Sequence, residues 1–600
     1  MIADRAHESQ VFGETRNYRI FLPSDYGDSG KRYPVVYWFH GWSERHNRHV
    51  VYEKNVNYDS GPDWGGDTIG AYVGRHDVIV VKPDGWNPRT KDEAYPRPYN
   101  IGPVETSRQF PLYFPELVSY IDANFRTIAD REHRAATGYS MGGFMAYWIA
   151  GKYPDLVSSA SAFMPSTEFF AGPRGFDVEY RHEEMAPNYE GLRTRLVTGA
   201  LDFIQFYHRR LNAIWNYTRP FHETEDFPAP HGTVGIGRTL DFHMRAFERP
   251  LPRPAVWSHI DVYPSFSVWG WDVASDRRSP GFTVLEEVSA SGFRVSAREW
   301  LPRGPVVPKG KMWISTKPAY PPGSAQAITV IRLRDGEVRR ATQKADAKGR
   351  LHFEVDGEPR EIGIGGGPIL ALGGWRLEAA RWARAKQMVR VRVRFWNKGA
   401  SGSPAGKVLW QSPNPSVVFQ PPEVALPAIA AGSSVESPLA FTVFDEAREI
   451  VKVFATVGAR RMALEIPMFP DAPVAEDFRI ADGKTFSVYQ QAVKREDLEL
   501  GEGDGNGAAA RGETVVVLLP DGEGYRAAEL FSEDPCVDLS QRRSDYWGNY
   551  DNVGASAKYT LAAIRPECAP GSLVRLMARV LLPAKPNHRL RYGVVELKVE

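Results

Sequence analysis

The fold is decided by the stretch RAATGYSMGGFMAYWIA at residues 134–150. A short strand candidate leads into GYSMGG (138–143), and an apolar helical run follows it. In a Gly-X-Ser-X-Gly elbow, the serine occupies a strained turn between a strand and a helix, and the flanking glycines avoid collisions with both. The motif alone is weak evidence, but here the strand and the helix supply the context that it requires. The pattern predicts that Ser140 is a nucleophile.

A second signal lies upstream of this elbow. The apolar run VVYWF (35–39) is typical of a strand buried on both faces of a parallel sheet, and it leads directly into His40-Gly41-Trp42. Backbone N–H groups at such a strand end are placed to bind a developing negative charge. We therefore predict an oxyanion hole formed by the N–H groups of Trp42 and Met141, with His40 shaping the loop.

The partners of the serine are expected later in the chain, with the acid before the histidine. Asp202 comes just after the strand candidate RLVTG (195–199), where a carboxylate that orients an imidazole should stand. His231 lies in the loop APHGTVGIG (229–237), before the last helix of the region. We predict that His231 is the general base.

Other residues compete for these roles. His222 ends a strand candidate and is the main rival for the base. His208 lies in a helical run close to Asp202, and His243 lies inside a predicted helix, where a lone histidine is usually packed or exposed. The rivals of Asp202 belong to one acidic stretch that we expect to be solvated: Glu223, Glu225 and Asp226.

Residues 1–254 alternate between strand and helix patterns. The alternation predicts an α/β fold with a mostly parallel sheet and helices on both faces. The strand candidates are 17–22, 35–39, 78–82, 134–137 and 196–198, and the helix candidates are 117–125, 144–150 and 239–247.

The pattern changes after the proline cluster PLPRP (250–254). Short β-rich runs then alternate with Gly, Pro and Asp turns, which is typical of sandwiches rather than βαβ units. We predict three all-β domains with immunoglobulin-like or fibronectin-like folds, at residues 255–367, 368–474 and 475–600.

Composition excludes several function classes. Lys+Arg 74 against Asp+Glu 73 leaves a net charge of +1, so no global field attracts the chain to nucleic acid or an anionic membrane. The apolar runs fall far short of the ~20 residues of a membrane span. The segment MIADRAHESQ (1–10) lacks the apolar core of a signal peptide, so we expect a cytosolic protein or a mature secreted one.

Two further features lie near the C-terminus. Cys536 and Cys568 permit one disulfide or two buried thiols, and the sequence leaves both open. Asp504 and Asn506 offer oxygen ligands for calcium, but a turn built from Gly, Asp and Asn explains the same residues and is favoured. No metal or organic cofactor is predicted.

The N-terminal motifs resemble those of the putative-esterase (esterase D-like) family of α/β-hydrolases. Members include feruloyl and acetylxylan esterases, S-formylglutathione hydrolase, enterochelin esterases and mycolyltransferases. The resemblance spans residues 8–250 and is carried by SQVFGETRNYRIFLPSDY (9–26), YPVVYWFHG (33–41) and DREHRAATGYSMGGFMAYWIAGKYPD (130–155).

The resemblance implies an α/β-hydrolase fold with Ser140 as nucleophile, His231 as base and Asp202 as orienting acid. GTVGIG (232–237) stands where family members often carry tryptophans, which leaves the acceptor preference open. In the tail, VRVRFWNKG (391–399) resembles a strand and turn of bacterial sandwich modules.

We therefore expect a serine carboxylesterase that hydrolyses feruloyl or acetyl esters linked to carbohydrate. Appended sandwiches are common on secreted bacterial enzymes that act on polymers, so we expect a secreted or periplasmic location. Trp42, Trp64 and Tyr139 are candidates to hold an aryl or sugar ring, although all three are equally compatible with a core. Two alternatives remain open: a degenerate hydrolase that binds without catalysis, and an acyltransferase or other ester hydrolase of the same family.

Overall fold

A mixed eight-stranded sheet forms the centre of the N-terminal region, in the order β1-β2-β4-β3-β6-β7-β10-β11. Strands β1, β2 and β4 pair antiparallel, and the strands from β4 to β11 pair in parallel. A small separate sheet contains β5, β8 and β9. The strands are β1 (Ile2–Ser9), β2 (Glu14–Phe21), β3 (Val35–Phe39), β4 (Ile79–Pro83), β5 (Pro103–Val104), β6 (Arg134–Tyr139), β7 (Ser159–Phe163), β8 (Glu168–Pro173), β9 (Val178–Arg181), β10 (Arg193–Gly199) and β11 (His222–Phe227).

These assignments come from a computed structural model of the chain. It describes all residues except 43, 50–56, 62–66, 87–98, 100–102, 105–109, 174–177, 220, 279–280, 299–301, 303–305, 379–382, 445–449, 469–477, 484–485, 491–493, 499–500, 519–526, 533, 535, 540–558 and 583–588.

Six α-helices accompany the described strands of this region: α1 (Asn57–Ser60), α2 (Ile69–Val73), α3 (Phe110–Asn124), α4 (Met141–Lys152), α5 (Gln205–Thr218) and α6 (Ile236–Glu248). The predicted α/β fold with a mostly parallel sheet is confirmed. Helix α3 begins seven residues before the predicted start at 117, although Pro115 lies inside it. A proline within a sequence segment disfavours a helix there, but the burial of Phe110, Tyr113 and Phe114 stabilises the additional turns of α3.

The chain after residue 254 is built from antiparallel sheets, as predicted. Residues 257–364 form a six-stranded sheet (β12-β15-β16-β21-β18-β19) and a four-stranded sheet (β13-β14-β17-β20), which share one apolar core. The strands are β12 (Trp257–Asp261), β13 (Ser265–Val268), β14 (Trp271–Ser275), β15 (Phe282–Ser289), β16 (Gly292–Arg298), β17 (Lys311–Ser315), β18 (Ala325–Arg332), β19 (Val338–Lys344), β20 (His352–Asp356) and β21 (Arg360–Ile364).

Residues 370–467 repeat this architecture with two four-stranded sheets, β22-β23-β27-β25 and β26-β24-β28-β29, around a second core. A third core lies between the sheets β30-β33-β36-β35 and β34-β37-β38. The strands are β22 (Leu370–Leu377), β23 (Val389–Asn397), β24 (Gly406–Gln411), β25 (Val417–Phe419), β26 (Glu423–Leu426), β27 (Ser434–Val443), β28 (Ile450–Val457), β29 (Arg460–Pro467), β30 (Arg479–Ala481), β31 (Phe486–Gln490), β32 (Lys494–Leu498), β33 (Thr514–Leu518), β34 (Ala527–Phe531), β35 (Val537–Asp538), β36 (Tyr559–Ile564), β37 (Leu573–Leu582) and β38 (Arg589–Lys598).

The chain divides into two compact units. The first comprises residues 1–202, 219–369 and 398–401, and the second comprises residues 203–218, 370–397 and 402–600. The domain boundaries expected near 255, 368 and 475 remain predictions. Within the described part of the chain, no helix combines the length and the apolar character that crossing a bilayer requires.

Two features of the C-terminal region address questions that the sequence left open. Cys536 and Cys568 are joined by a disulfide. In the loop after β32, Asp504 Oδ1 accepts the N–H of Asn506 at 2.9 Å, and Asn506 Oδ1 accepts the N–H of Ala508 at 2.7 Å. These hydrogen bonds are those of a turn. Carboxylate oxygens of Asp482, Asp504 and Glu513 also lie within 4.8 Å of one another, so the calcium alternative stays a hypothesis.

A buried ion pair joins the α/β region to the first sandwich inside the first unit. Lys152, at the end of α4, places its Nζ 2.6 Å from Asp261 Oδ2 on β12, and both side chains are less than 5% exposed. The Oδ1 atom of Asp261 accepts the N–H of Tyr263 at 2.8 Å. Burial raises the pKa of Asp261, but the ammonium of Lys152 and the imidazole of His259 together hold the pKa below its usual value.

Breaking this pair from one side should destabilise the first unit strongly. We expect Asp261→Asn to lower the free energy of unfolding by about 3–5 kcal/mol, because it leaves the ammonium of Lys152 buried without a counter-charge. Calorimetric unfolding measures the change. The matched control is Lys407→Met, which removes an ion pair with Glu423 in which both side chains are exposed. This substitution should lower the free energy of unfolding by less than about 1 kcal/mol. A shift for Asp261→Asn no larger than the control's would contradict the prediction.

Candidate active site

Ser140 lies on a strained turn at the carboxyl end of β6. Its backbone adopts φ 55° and ψ −118°, a conformation that non-glycine residues rarely occupy. The N–H of Ser140 donates to the carbonyl of Phe163 at 2.9 Å, and its own carbonyl accepts the N–H of Gly143 at 3.0 Å. The turn is therefore held from the neighbouring strand β7 and from the first turn of α4.

The glycines of the motif are required by close backbone contacts. A Cβ on Gly142 would lie 2.1 Å from the carbonyl oxygen of Phe39, and a Cβ on Gly138 would lie 2.2 Å from the carbonyl oxygen of Gly142. Both distances are far below van der Waals contact. Helix α4 can thus start directly against the end of β3 only because these two positions carry no side chain.

Ser140, His231 and Asp202 come together in one hydrogen-bonded series. The Nε2 atom of His231 lies 3.0 Å from Ser140 Oγ, and its Nδ1 atom lies 3.0 Å and 3.1 Å from the two carboxylate oxygens of Asp202. Since a carboxylate only accepts hydrogen bonds, Nδ1 carries the proton and Nε2 is left to accept the Ser140 hydroxyl. Asp202 is fully buried, whereas the His231 side chain is partly open.

The loops that carry Asp202 and His231 are joined through their backbones. They leave the carboxyl ends of the parallel strands β10 and β11, which lie side by side at the same edge of the sheet. The N–H of Ala200 donates to the carbonyl of Phe227 at 2.8 Å, and the N–H of Leu201 donates to the carbonyl of Ala229 at 3.1 Å. The acid and the imidazole are thus held at a constant separation by main-chain contacts.

The predicted oxyanion loop follows β3 at the same edge. Met141 is the first residue of α4, a position whose N–H has no acceptor within the helix. The loop that carries Trp42 is anchored by Glu44, which is buried and accepts the N–H of Gly41 at 3.0 Å and the hydroxyl of Tyr58. Glu44 was not expected from the sequence, where its only signal is an acid three residues after Gly41.

The side chain of His40, which we expected to shape this loop, is held by two hydrogen bonds. The N–H of Gly85 donates to Nε2 at 2.9 Å, so Nδ1 carries the proton and donates to the carbonyl of Gly41 at 2.9 Å. Burial lowers the pKa of His40, although the nearby Asp84 opposes this. A neutral imidazole can make both hydrogen bonds at once.

Of the predicted ring-binding residues, Tyr139 lies beside the site. Its ring centroid is 5.0 Å from that of His231, and a Cβ on Gly41 would lie 2.9 Å from its Cδ1. The side chain of Trp42 is 40% exposed. Trp64 lies outside the described residues.

The rival base His222 lies at the amino-terminal end of β11, opposite to the carboxyl ends of the strands where Ser140 lies. It begins β11 rather than ending a strand, and it pairs in register with Thr194 at the start of β10. The expectation that a strand ends at His222 is therefore wrong: the chain turns into β11 at this residue. Its Nδ1 lies 2.9 Å from Thr194 Oγ1, and burial together with the charge of Arg219 lowers its pKa to about 3.

A second serine–histidine set is present in the core. His243 on α6 has Nδ1 2.8 Å from Ser159 Oγ and Nε2 2.8 Å from Ser161 Oγ, and all three residues are fully buried. Burial and the charges of Arg195 and Arg245 lower the pKa of His243 to about 3. Both serines lie within strand β7 and not on a turn, so this set is inaccessible to a substrate. His208, the remaining rival, lies within α5.

Comparison with known proteins finds similarity in the N-terminal region. Residues 9–227 match the model of the family described as "Putative esterase". An esterase of Mycobacterium tuberculosis is 31% identical over 163 residues, which cover 26% of this chain and 30% of the relative. An endo-1,4-beta-xylanase/feruloyl esterase of Xylanibacter ruminicola is 31% identical over 166 residues, which cover 26% and 21% respectively. The expected family resemblance is confirmed, and it spans about a third or less of these relatives.

Solved structures align with about two fifths of the chain. A ferulic acid esterase is 17% identical with a TM-score of 0.32, over 41% of this chain and 98% of that protein. An S-formylglutathione hydrolase of Staphylococcus aureus is 18% identical with a TM-score of 0.29, over 41% and 98%.

The elbow geometry predicts the effect of adding one methyl group. We expect Gly142→Ala to lower the free energy of unfolding by about 1–3 kcal/mol or more, because its Cβ would overlap the carbonyls of Phe39 and His40. The matched control is Gly30→Ala, where a Cβ would have no neighbour within 4 Å. Thermal unfolding of both variants measures the difference. Equal melting temperatures would show that the backbone approach does not constrain the turn.

Proposed function

We propose that the putative-esterase region at residues 9–227, together with the loop that follows it, is a serine carboxylesterase. The observation that carries the proposal is the series of hydrogen bonds from Ser140 through His231 to the buried Asp202. A hydroxyl needs a base within hydrogen-bond distance to become a nucleophile, and an imidazole needs a partner that fixes its tautomer. The degenerate alternative is disfavoured because all three side chains are in place.

The geometry supports a two-step acyl transfer. The Oγ of Ser140 attacks the ester carbonyl while Nε2 of His231 takes its proton, and the carboxylate of Asp202 stabilises the imidazolium. The N–H groups of Trp42 and Met141 bind the oxyanion of the tetrahedral intermediate. The imidazolium then protonates the departing alcohol, which leaves an acyl-enzyme. Water, activated by His231, attacks this ester and releases the acid and Ser140.

We infer a substrate with a carbohydrate-linked acyl group, feruloyl or acetyl. One relative is named as a xylanase and feruloyl esterase, which supports this class. Large apolar side chains exposed beside the predicted site include Trp42, on the oxyanion loop, and Leu201, which is 60% exposed and directly precedes Asp202. Exposed apolar groups at a catalytic edge suit an acyl or sugar group with an apolar surface.

A secreted or periplasmic location is supported by the disulfide. Cys536 and Cys568 are 32 residues apart and joined in the third β-rich region. Disulfides persist in oxidising compartments and are rare in the cytosol.

Substitution of Ser140 and of His231 tests the esterase proposal. We expect Ser140→Ala and His231→Ala to lower kcat/KM for para-nitrophenyl acetate and methyl ferulate by about 10⁴-fold or more. His222→Ala and Ser161→Ala are the matched controls. His222 is hydrogen-bonded to Thr194 and Ser161 to His243, and neither contact includes Ser140, so both variants should retain most of the activity. The ratio of the two substrates for the wild-type protein separates acetyl from feruloyl preference.

The controls make the base assignment refutable. An inactive His222→Ala protein beside an active His231→Ala protein would reassign the base. Loss of activity in Ser161→Ala with retention in Ser140→Ala would move the nucleophile to the buried set around His243.

The disulfide makes a separate prediction. Protein isolated without reductant and denatured in iodoacetamide should gain no alkyl group, whereas the same protein after reduction should gain two. Because the bridge closes a loop of 32 residues, its reduction should lower the free energy of unfolding of that domain by about 3–4 kcal/mol. Alkylation of both cysteines before reduction would contradict the bridge and weaken the case for secretion.

A further inference from the structure

The outer face of the four-stranded sheet β13-β14-β17-β20 carries an unusual set of side chains. Because neighbouring residues on a strand point to opposite faces, alternate residues pack in the core and the others point outward. Met312, Ile314 and Phe353 belong to the core. The outward residues that matter here are Asp272, Ala274, Trp313, Ser315, His352 and Glu354, which we name the Trp313 face.

Trp313 is 41% exposed in the middle of this face. In the register of the sheet it lies between Ala274 on β14 and Glu354 on β20. Ala274 is a small neighbour and leaves space on one side of the indole. No other large apolar side chain is exposed on the described strands of this sheet.

The indole ring is held in one orientation. Its Nε1–H donates to Glu354 Oε2 at 3.1 Å, and Glu354 Oε1 accepts the ammonium of Lys311 at 2.6 Å. A ring that is already fixed loses little conformational entropy when a ligand stacks on it. An exposed tryptophan would otherwise be free to turn and to bury its apolar surface.

Polar groups lie in the adjacent row of the sheet. Asp272, Ser315 and His352 stand opposite one another across three strands. The hydroxyl of Ser315 lies 2.8 Å from His352 Nδ1, and the carboxylate of Asp272 accepts the hydroxyl of Ser267 at 2.6 Å. This row places hydroxyl, imidazole and carboxylate groups two residues along the strands from the ring, and His352 Nε2 also lies 3.0 Å from Asp346 Oδ2.

The charges on and around this face are nearly balanced. Glu354 is paired with Lys311, and Asp272 is paired with Arg350. Strong affinity for an anionic or cationic ligand requires an excess of one sign, which these pairs remove. A protein partner normally needs a larger apolar patch than one tryptophan provides.

We propose that the Trp313 face binds a neutral polysaccharide. The indole stacks on the C–H surface of one pyranose ring, and the row of Asp272, Ser315 and His352 exchanges hydrogen bonds with the hydroxyls of that sugar or its neighbour. A flat sheet face suits an extended chain, which can continue beyond the face at both ends. The face holds the polymer independently of the ester chemistry at Ser140.

Affinity electrophoresis of the full chain tests this proposal. Native gels contain arabinoxylan, glucomannan or mixed-linkage β-glucan, each treated with alkali to remove its esters, so that failure of the esterase proposal cannot affect the result. We expect retardation by at least one of these polymers. We expect Trp313→Ala to weaken the binding at least about tenfold, since buried aromatic anchors dominate such interfaces.

Two further variants keep the result interpretable. Ala274→Arg leaves Trp313 in place but covers the space beside its ring, and it should weaken binding to a similar degree. Phe444→Ala is the control, since Phe444 is another exposed aromatic, at 60%, on a different part of the chain. Its binding should match the wild type. Circular dichroism and melting temperatures establish that all variants are folded.

Four outcomes would overturn the proposal. They are no retardation by any of the three polymers, unchanged retardation in Trp313→Ala and Ala274→Arg, and retardation only in a further gel that contains anionic polygalacturonate. The fourth is a change of oligomeric state in Trp313→Ala, measured by analytical ultracentrifugation, with unchanged polymer binding, which would assign the face to contacts between copies of this chain.

Discussion

The backbone conformation of Ser140 is the constraint on which the rest of the predicted site depends. A residue with φ 55° between a strand and a helix is costly, and it persists because β7 and the start of α4 hold it by hydrogen bonds. The same turn brings α4 within reach of the end of β3, at a distance that only glycine at 138 and 142 permits. The tight turn at Ser140 therefore brings the serine hydroxyl, the N-terminus of α4 and the loop after β3 together at the carboxyl ends of the strands.

The other two members of the series reach Ser140 through sheet topology. Strands β10 and β11 run parallel, so the loops that follow them meet at the edge where β6 also ends. Main-chain hydrogen bonds between the two loops then set the distance from Asp202 to His231. Buried polar groups, above all Glu44 and His40, hold the opposite loop through hydrogen bonds to Gly41, Tyr58 and Gly85. Rigid support of this kind is what preorganised catalysis requires.

The β-rich part of the chain contributes in ways that differ from region to region. The first sandwich is joined to the helix of the nucleophile through Lys152 and Asp261, and thus acts as a structural support in the first unit. The four-stranded sheet of that sandwich also presents Trp313 to solvent, with Glu354 fixing the ring. The third region carries the disulfide, which constrains the chain between Cys536 and Cys568.

The sequence alone determined those features that local chemistry dictates. The elbow at Ser140, the buried strand Val35–Phe39, the change to β-rich sequence after residue 254 and the positions of Asp202 and His231 in loops all follow from short patterns of glycine, apolar and polar residues. The roles of these three residues stay predictions until activity is measured, but their proximity was expected from chain order and strand alternation.

The tertiary structure decided what depends on residues far apart in the chain. His222 and His231 are only nine residues apart, yet they lie at opposite ends of β11, and only strand pairing reveals which end faces Ser140. Glu44 is positioned by hydrogen bonds to Gly41 and Tyr58. The two cysteines are bridged because two strands bring them together. Helix α3 extends through Pro115 because the aromatic rings of its first turns are buried. A sequence pattern reports the preferences of neighbours, whereas packing energy is shared among residues that meet only after the chain has folded.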